Sequence, residues 1–464
     1  MKVLLIEPPK RVWEMMGDCV APPLGLAYVA GTLEQEGIEV GIVDCNASEL
    51  TWPQLKEAIA EAQPDLVGAT AMTPYFHAAA RAMRIAKEVD PGIVTVLGGP
   101  HVTFLAEETL TAHPEVDFVV RGEGERKLLD LIRCLEGDGD PSSVQGIALR
   151  QDGRVVQTPE PPPLDVNALP MPAYHLLPMR AYRFEMMVNF TTLLASRGCP
   201  HRCTFCAEWP FWGDGWRPRD PEAVVEEIEL LHRRYDRQSF WFGDDCFNVD
   251  GDHMRAISEG ILKRGLEIAW FYQGRADLLI KHRDALPLMR RAGNLMIQLG
   301  IEASTDGELS DLRKQLTVEQ VREAVHLLRQ NDIVCQGLLI IGTPSESAQS
   351  IQHKVRFAKW LDVDFPIFTV FTPFPGTEIY EEAEAKGWLE DPPDYSKYDM
   401  AHFLIPNEHL SRKELVSWWQ WCFWSYYLDP IKLAKGLFSR NSWKRHIWRL
   451  MMGYNMKKTL RAWF

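Results

Sequence analysis

The chain has 464 residues, a quarter of them charged, with 50 Lys and Arg against 64 Asp and Glu for a formal net charge of -14. That length exceeds one ordinary hydrophobic core and predicts two or three domains, and the acidic excess argues against nucleic acid as a partner. The start at residues 1–5 has no signal-peptide pattern, and the nine cysteines lack paired spacing; together they predict a reducing, cytoplasmic location.

Taken in order, short apolar runs at 2–7, 40–44, 66–70, 94–99 and 118–122 alternate with helical patterns at 24–36, 54–62, 78–89 and 106–113. This alternation predicts an α/β domain over residues 1–140, a doubly wound, Rossmann-like parallel sheet. Ligands of such sheets bind outside the carboxyl ends of the strands. The loops there carry Thr70, Met72 and Thr73, then Gly98, Gly99 and His101, then Gly122 and Glu123. Their glycines let backbone approach a bulky ligand. Neither a G-x-G-x-x-G fingerprint nor a P-loop follows the first strand, which argues against a dinucleotide.

Residues 141–189 read as a hairpin turning at Asp152-Gly153 and then a proline-dense linker. From 190 to 385 strand and helix patterns alternate again, with strands at 190–195, 239–245, 268–275, 295–302, 334–341 and 368–371 and a helix at 221–235. Six such units predict a partial (β/α)6 barrel of the TIM type, with its chemistry at the carboxyl ends of its strands. The second strand ends in Asp244 and Asp245. The loop after the first carries Cys199, Cys203 and Cys206 in C-x3-C-x2-C spacing. Three thiolates so spaced fit three irons of a 4Fe-4S cube and leave the fourth iron open to a small molecule. The alternatives are a zinc site completed by His201 or a distant ligand, or three unconnected thiols. The other cysteines are scattered and read as buried small hydrophobes, with Cys246 near the catalytic face.

Residues 386–464 read as a helical, tryptophan-rich and basic region. Aromatic residues crowd 418–427, and nine Lys or Arg with no acid follow from 430 onward. One reading is a helix lying on an anionic membrane at its inner face; the other is a cap that packs its tryptophans on the barrel. No apolar run approaches the length needed to span a bilayer.

The thiol motif, the run PPLGLAYVAGTLEQEGIEVGIVD, the loop GGPHVTF and the segment VVRGEGE together resemble the cobalamin-binding radical S-adenosylmethionine (SAM) family over residues 1–385. The resemblance implies three cofactors: cobalamin on the first domain, and a 4Fe-4S cluster on Cys199, Cys203 and Cys206 whose open iron is chelated by SAM. Reductive cleavage of SAM then yields a 5'-deoxyadenosyl radical. It further implies that Phe205 lies against the SAM adenine and that Gly243, Asp244 and Asp245 contact its amine. Arg275, Gln298 and Glu302 would hold its carboxylate and ribose, and Gly342 would sit beside adenine. An Asp-x-His-x-x-Gly motif is missing, so no protein histidine is expected beneath cobalt. His101 is expected to order its loop or to meet the corrin edge, and Tyr75 and Phe76 to cover the lower corrin face. The implied activity is C-methyl transfer to an unactivated carbon of a hydrophobic small molecule or lipid. Oxidative cyclisation or carbon–carbon coupling on a porphyrin or lipid, as in anaerobic magnesium-protoporphyrin ester cyclases, is the alternative, and a sensor without turnover is a third reading. An electron donor such as flavodoxin or ferredoxin is the implied partner.

Overall fold

A computed structural model describes residues 1–10, 18–213 and 215–451. Strand β1 (Lys2–Glu7) lies between β2 (Glu39–Asp44) and β3 (Leu66–Thr70), followed by β4 (Val94–Gly98) and β5 (Phe118–Val120), all parallel. The chain thus leaves β1 toward one side, returns, and continues on the other, which places the topological switch point between β1 and β3. The apolar run of β1 is buried on both faces, as parallel strands require. Val3 and Leu5 face helices α1 (Leu24–Gln35) and α5 (Glu125–Glu136). Leu4 and Ile6 face α2 (Trp52–Ala62), α3 (Phe76–Val89) and α4 (Ala106–Ala112).

The expected hairpin forms, with β6 (Ile147–Gln151) and β7 (Arg154–Gln157) joined through Asp152 and Gly153, both at positive φ. It is not part of the linker. β6 pairs antiparallel with β5, so the hairpin extends the first sheet to seven strands. Ladder hydrogen bonds to the edge of β5 were available, and β6, whose Ile147, Ala148 and Leu149 are buried, satisfies them.

The second domain is the expected six-stranded parallel barrel segment, in the order β8 (Phe190–Leu193), β9 (Ser239–Phe242), β10 (Ala269–Gly274), β11 (Asn294–Glu302), β12 (Val334–Ile341) and β13 (Phe365–Val370). Helix α6 (Pro221–Tyr235) begins where Asp220 accepts the Glu222 N–H and Pro221 takes the first helical position, where its missing donor costs nothing. Outward-facing Phe242, Trp270 and Tyr272 pack on Phe247 with ring centroids 4.7–5.7 Å apart. These aromatics seat the strands against their helices, and so fix where each strand end points.

Residues 386–411 are mostly irregular rather than helical. They run back to the first domain, where Tyr395 donates to Glu108 at 2.9 Å and lies edge-on to His101 with ring centroids 4.5 Å apart. Helix α7 (Arg412–Tyr427) then closes the barrel edge. Trp419 Nε1 donates to the Phe368 carbonyl at 2.7 Å and Tyr427 Oη to the Pro366 carbonyl at 2.9 Å. The aromatic crowding therefore belongs to a barrel cap. Three of the six described cations that follow are ion-paired within the molecule: Lys432 and Lys435 with Asp362, and Lys444 with Asp364. Lys457, Lys458 and Arg461 lie outside the described residues. Among the described residues no helix is long and apolar enough to cross a membrane.

Candidate functional site

The thiol loop leaves β8 and is held from below by two carboxylates at the end of β9. Asp244, buried, accepts the Ala195 N–H at 3.0 Å and the Ser196 hydroxyl. Asp245 Oδ2 accepts the Gly198 N–H at 3.1 Å. Burial pushes the Asp244 carboxyl up to about 6, and burial with the neighbouring Glu208 carboxylate pushes Asp245 up as well. Both are thus spent on the backbone that presents the cysteines, a closer task than contacting a ligand amine. Gly198 adopts φ +81° and a Cβ there would sit 2.6 Å from the Gly215 carbonyl, so only glycine fits before Cys199.

Cys203 is buried; Cys199 and Cys206 are half-buried. Arg275, at the end of β10, donates to the Lys314 carbonyl at 2.7 Å and to Asp277 at 3.1 Å. Lys314 Nζ donates to Glu302 at 2.7 Å, at the end of β11, and lies 5.9 Å from the centroid of the Phe205 ring. Both cations bear on the thiols. The neighbouring Cys246 thiol, with help from Arg275 and Lys314, brings the Cys199 thiol down to about 7, whereas burial pushes Cys203 and Cys206 up. Burial and the Arg275 charge bring His201 down to about 4, and its buried Nε2 has no partner. Among the described residues no group of three or more His, Cys, Asp or Glu closes on a single metal-ion position. Three thiols at this spacing have the donor chemistry of a cluster whose thiolates bind separate irons.

Of the expected residues, the structure gathers the three cysteines, Phe205, Arg275 and Glu302 at the barrel mouth. Gln298 lies within β11 and donates to Gln336 on β12 at 2.6 Å. Gly342, at φ +90°, turns the chain out of β12, and its N–H is held by the buried Glu346. Gly243 follows the last residue of β9, just before the two carboxylates. Sequence reasoning missed Lys314, which follows a short helix and belongs to no motif. It also missed the influence of the Cys246 thiol, which donates to Asn248 Oδ1 at 3.5 Å, on Cys199; its position after Asp245 was the available signal.

At the carboxyl edge of the first sheet, Ala71 N–H bonds to the Gly98 carbonyl at 2.7 Å and His101 N–H to the Ala71 carbonyl at 3.0 Å, knitting the loops after β3 and β4. Gly99 at φ +96° leaves no room for a Cβ, which would meet Thr70 Oγ1 at 2.7 Å. Gly122 N–H bonds to Thr103 Oγ1 at 2.8 Å, adding the third loop. Met72 stands out at 46 % exposure beside half-buried Thr70, whereas Thr73 is buried. His101 is turned into the core: its ring lies 4.1 Å from Phe76, its Nδ1 has no partner, and burial brings it down to about 3. Phe76 is equally buried, which removes it from any ligand face. These loops leave an open edge that could hold a corrin.

The two edges meet. Glu123 and Glu125, which follow β5, are paired with Arg197, two residues before Cys199. The position of Glu123 was expected to serve a cofactor; in the structure its carboxylate is taken up by Arg197 and Arg217.

Comparison with known proteins agrees with both halves. A B12-binding domain model matches residues 18–132 and a radical SAM superfamily model residues 193–358. The chain is 33 % identical over 462 residues to an uncharacterized methyltransferase of Pyrococcus horikoshii, covering 98 % of this chain and 99 % of that one. It is 34 % identical over 424 residues to the anaerobic magnesium-protoporphyrin IX monomethyl ester cyclase of Rubrivivax gelatinosus, covering 90 % of this chain and 75 % of that enzyme. Among solved structures, the radical SAM methyltransferase TsrM of Kitasatospora setae with cobalamin and a [4Fe-4S] cluster superposes with a TM-score of 0.73 at 18 % identity, covering 98 % of this chain and all of that one.

Proposed function

The chain belongs to the radical SAM enzymes that carry an N-terminal cobalamin-binding domain, and from that premise we propose that it transfers a methyl group to an unactivated carbon of a hydrophobic substrate. It uses a 4Fe-4S cluster, SAM and cobalamin. Cys199, Cys203 and Cys206 would hold the cluster, and the loops around Met72, Gly99 and Gly122 the corrin. When bound, the cluster supplies the electron for reductive SAM cleavage and cobalamin serves as the methyl carrier.

The protein's own part is arrangement and exclusion. Asp244 and Asp245 fix the thiol loop through three hydrogen bonds. Arg275 and Lys314 place positive charge beside Cys199 and Cys203, which favours the thiolates that iron requires. The observation that carries the reading is the junction of the two strand-end edges at Arg197 and Glu123, 2.7 Å apart. A methyl carrier on one edge and a hydrogen-abstracting centre on the other can serve one substrate only if the edges face each other closely. Oxidative cyclisation is the second reading, favoured by the identity to the cyclase. The end-to-end match to an uncharacterized methyltransferase supports the first reading. A low-potential donor of the flavodoxin or ferredoxin kind would supply the electron.

The test is anaerobic reconstitution with iron, sulfide, cobalamin, dithionite and methyl-deuterated SAM, using extracts of a host lacking the gene as substrate. Formation of 5'-deoxyadenosine together with a product heavier by a labelled methyl supports methyl transfer. A cyclised or oxygenated product without label replaces it with the second reading.

A further inference from the structure

Arg197 lies on the short strand Ser196–Arg197, which pairs antiparallel with Arg217–Pro218 immediately beside the thiol loop. Its guanidinium spans two carboxylates of the other domain, with Nη1 to Glu123 at 2.7 Å and Nη2 to Glu125 at 2.5 Å. Arg217 Nη1 takes the second oxygen of Glu123 at 2.8 Å and also donates to the Leu164 carbonyl at 2.8 Å. The Arg197 fork lies over the Tyr28 ring at 5.0 Å and near Trp212 at 5.3 Å. Arg197, Glu123 and Glu125 have side chains no more than 9 % exposed.

An array of four charges so little hydrated is poor glue, because desolvation offsets most of the attraction, and an apolar seam would join the domains at least as firmly. What a planar fork supplies that an apolar seam does not is direction. Two donors meeting two acceptors fix both separation and angle. The parts joined are the strand leading into Cys199 and the loop Gly122–Glu125 at the corrin edge. A slip between them would change the spacing of the cofactors while leaving each binding site intact.

We propose that Glu123 and Glu125 with Arg197 and Arg217 form an inter-domain clamp that sets the spacing between the cobalamin edge and the cluster loop, making Arg197 a positioning residue for transfer between them. The transfer it serves is that of the proposed function; the clamp itself is independent of the substrate. Substituting Arg197→Lys keeps the charge but leaves a single ammonium unable to span both carboxylates, and Glu125→Gln weakens one arm without touching the thiol loop.

The measurement is pulsed-EPR separation between cob(II)alamin and the reduced cluster in full-length, reconstituted protein, with iron and cobalamin content determined alongside. Both variants are expected to retain iron and cobalamin while the distance distribution widens about twofold, since a planar two-armed contact is replaced by one flexible arm. An unchanged distribution in a loaded Arg197→Lys protein overturns the clamp. Should Arg197→Lys lose iron, the loaded Glu125→Gln protein decides on the same criterion. A widened distribution in the variants, alongside a parent protein that gives only cyclised or oxygenated product without label, upholds the clamp and replaces the methyl-transfer reading, so the two fail separately.

Discussion

Asp245 accepts the backbone N–H of Gly198 at 3.1 Å, so the last carboxylate of β9 is tied to the residue that introduces the thiol loop. Gly198 is buried, and leaving that N–H without an acceptor costs about 1–3 kcal/mol. Asp245→Ala is expected to lose most of its iron after anaerobic reconstitution, whereas Asp245→Asn, whose amide oxygen still accepts, keeps it. Iron and sulfide content of the two proteins checks this. Equal retention in both would remove Asp245 from the support of the loop.

Cys246 makes a second prediction, on the metal-free protein. Its thiol, which donates to Asn248 Oδ1 at 3.5 Å, is the neighbour with the largest influence bringing Cys199 down to about 7. The sign follows directly: a lowered thiol is ionised at a lower pH, so Cys199 should alkylate with iodoacetamide along a curve whose midpoint lies near 7. Cys246→Ala should move that midpoint upward by roughly a unit or more, toward the ordinary thiol range. Mass-spectrometric quantification of labelled Cys199 across pH 5.5–10 reads it. Iron uptake by Cys246→Ala should persist, because its thiol is engaged with Asn248 Oδ1 and is not one of the three expected ligands.

The architecture was legible because parallel strands buried on both faces leave uninterrupted apolar runs, and β3 and β12 begin and end where those runs do. The cysteines were legible because ligand spacing on one loop is a local property of sequence. The hairpin and Lys314 were not. Whether β6 adds to a sheet edge depends on which backbone groups are free in the folded domain, and Lys314 reaches Glu302 from a turn with no pattern of its own. The same holds for Glu123. A segment rich in glycine and glutamate at a strand end looks like ligand contact until the arginines of another domain are brought to it. The aromatic tail left two readings open, since tryptophans at an interface with lipid and tryptophans bonded to a barrel strand have the same composition.

His101 carries a third prediction. It is buried between Phe76 and Tyr395 and held neutral to about pH 3 by burial, so its place is in packing. The cob(II)alamin form should therefore have an EPR spectrum unchanged by uniform 15N labelling of the histidines. His101→Ala removes a ring from a packed cluster and should destabilise the first domain by about 2–4 kcal/mol, the range for deleting large buried side chains. Urea denaturation measures the cost. A nitrogen splitting that responds to the label would instead put a histidine on cobalt.

Asp362 joins the tail to the barrel. Burial alone would raise its carboxyl, but hydrogen bonds from Lys432 and Lys435 prevail and bring it down to about 2. A carboxylate depressed in the folded state contributes stability that is fully present above its ordinary range near 4 and is lost as pH falls toward 2. Docking of the 430–451 segment should therefore hold at neutral pH and weaken below about pH 4. Asp362→Asn should weaken it at every pH, because the buried Lys432 ammonium then keeps only the Lys359 carbonyl, at 2.8 Å, and a neutral amide. Limited trypsin digestion at pH 7.5 checks the variant: cleavage at Lys432 or Lys435 should rise several-fold over the parent, consistent with the 1–3 kcal/mol, roughly, that an under-paired buried charge costs. Unchanged protection would mean that the contacts of Trp448 with Phe365 and Tyr427, at 5.8 and 5.5 Å between ring centroids, hold the tail without the ion pairs.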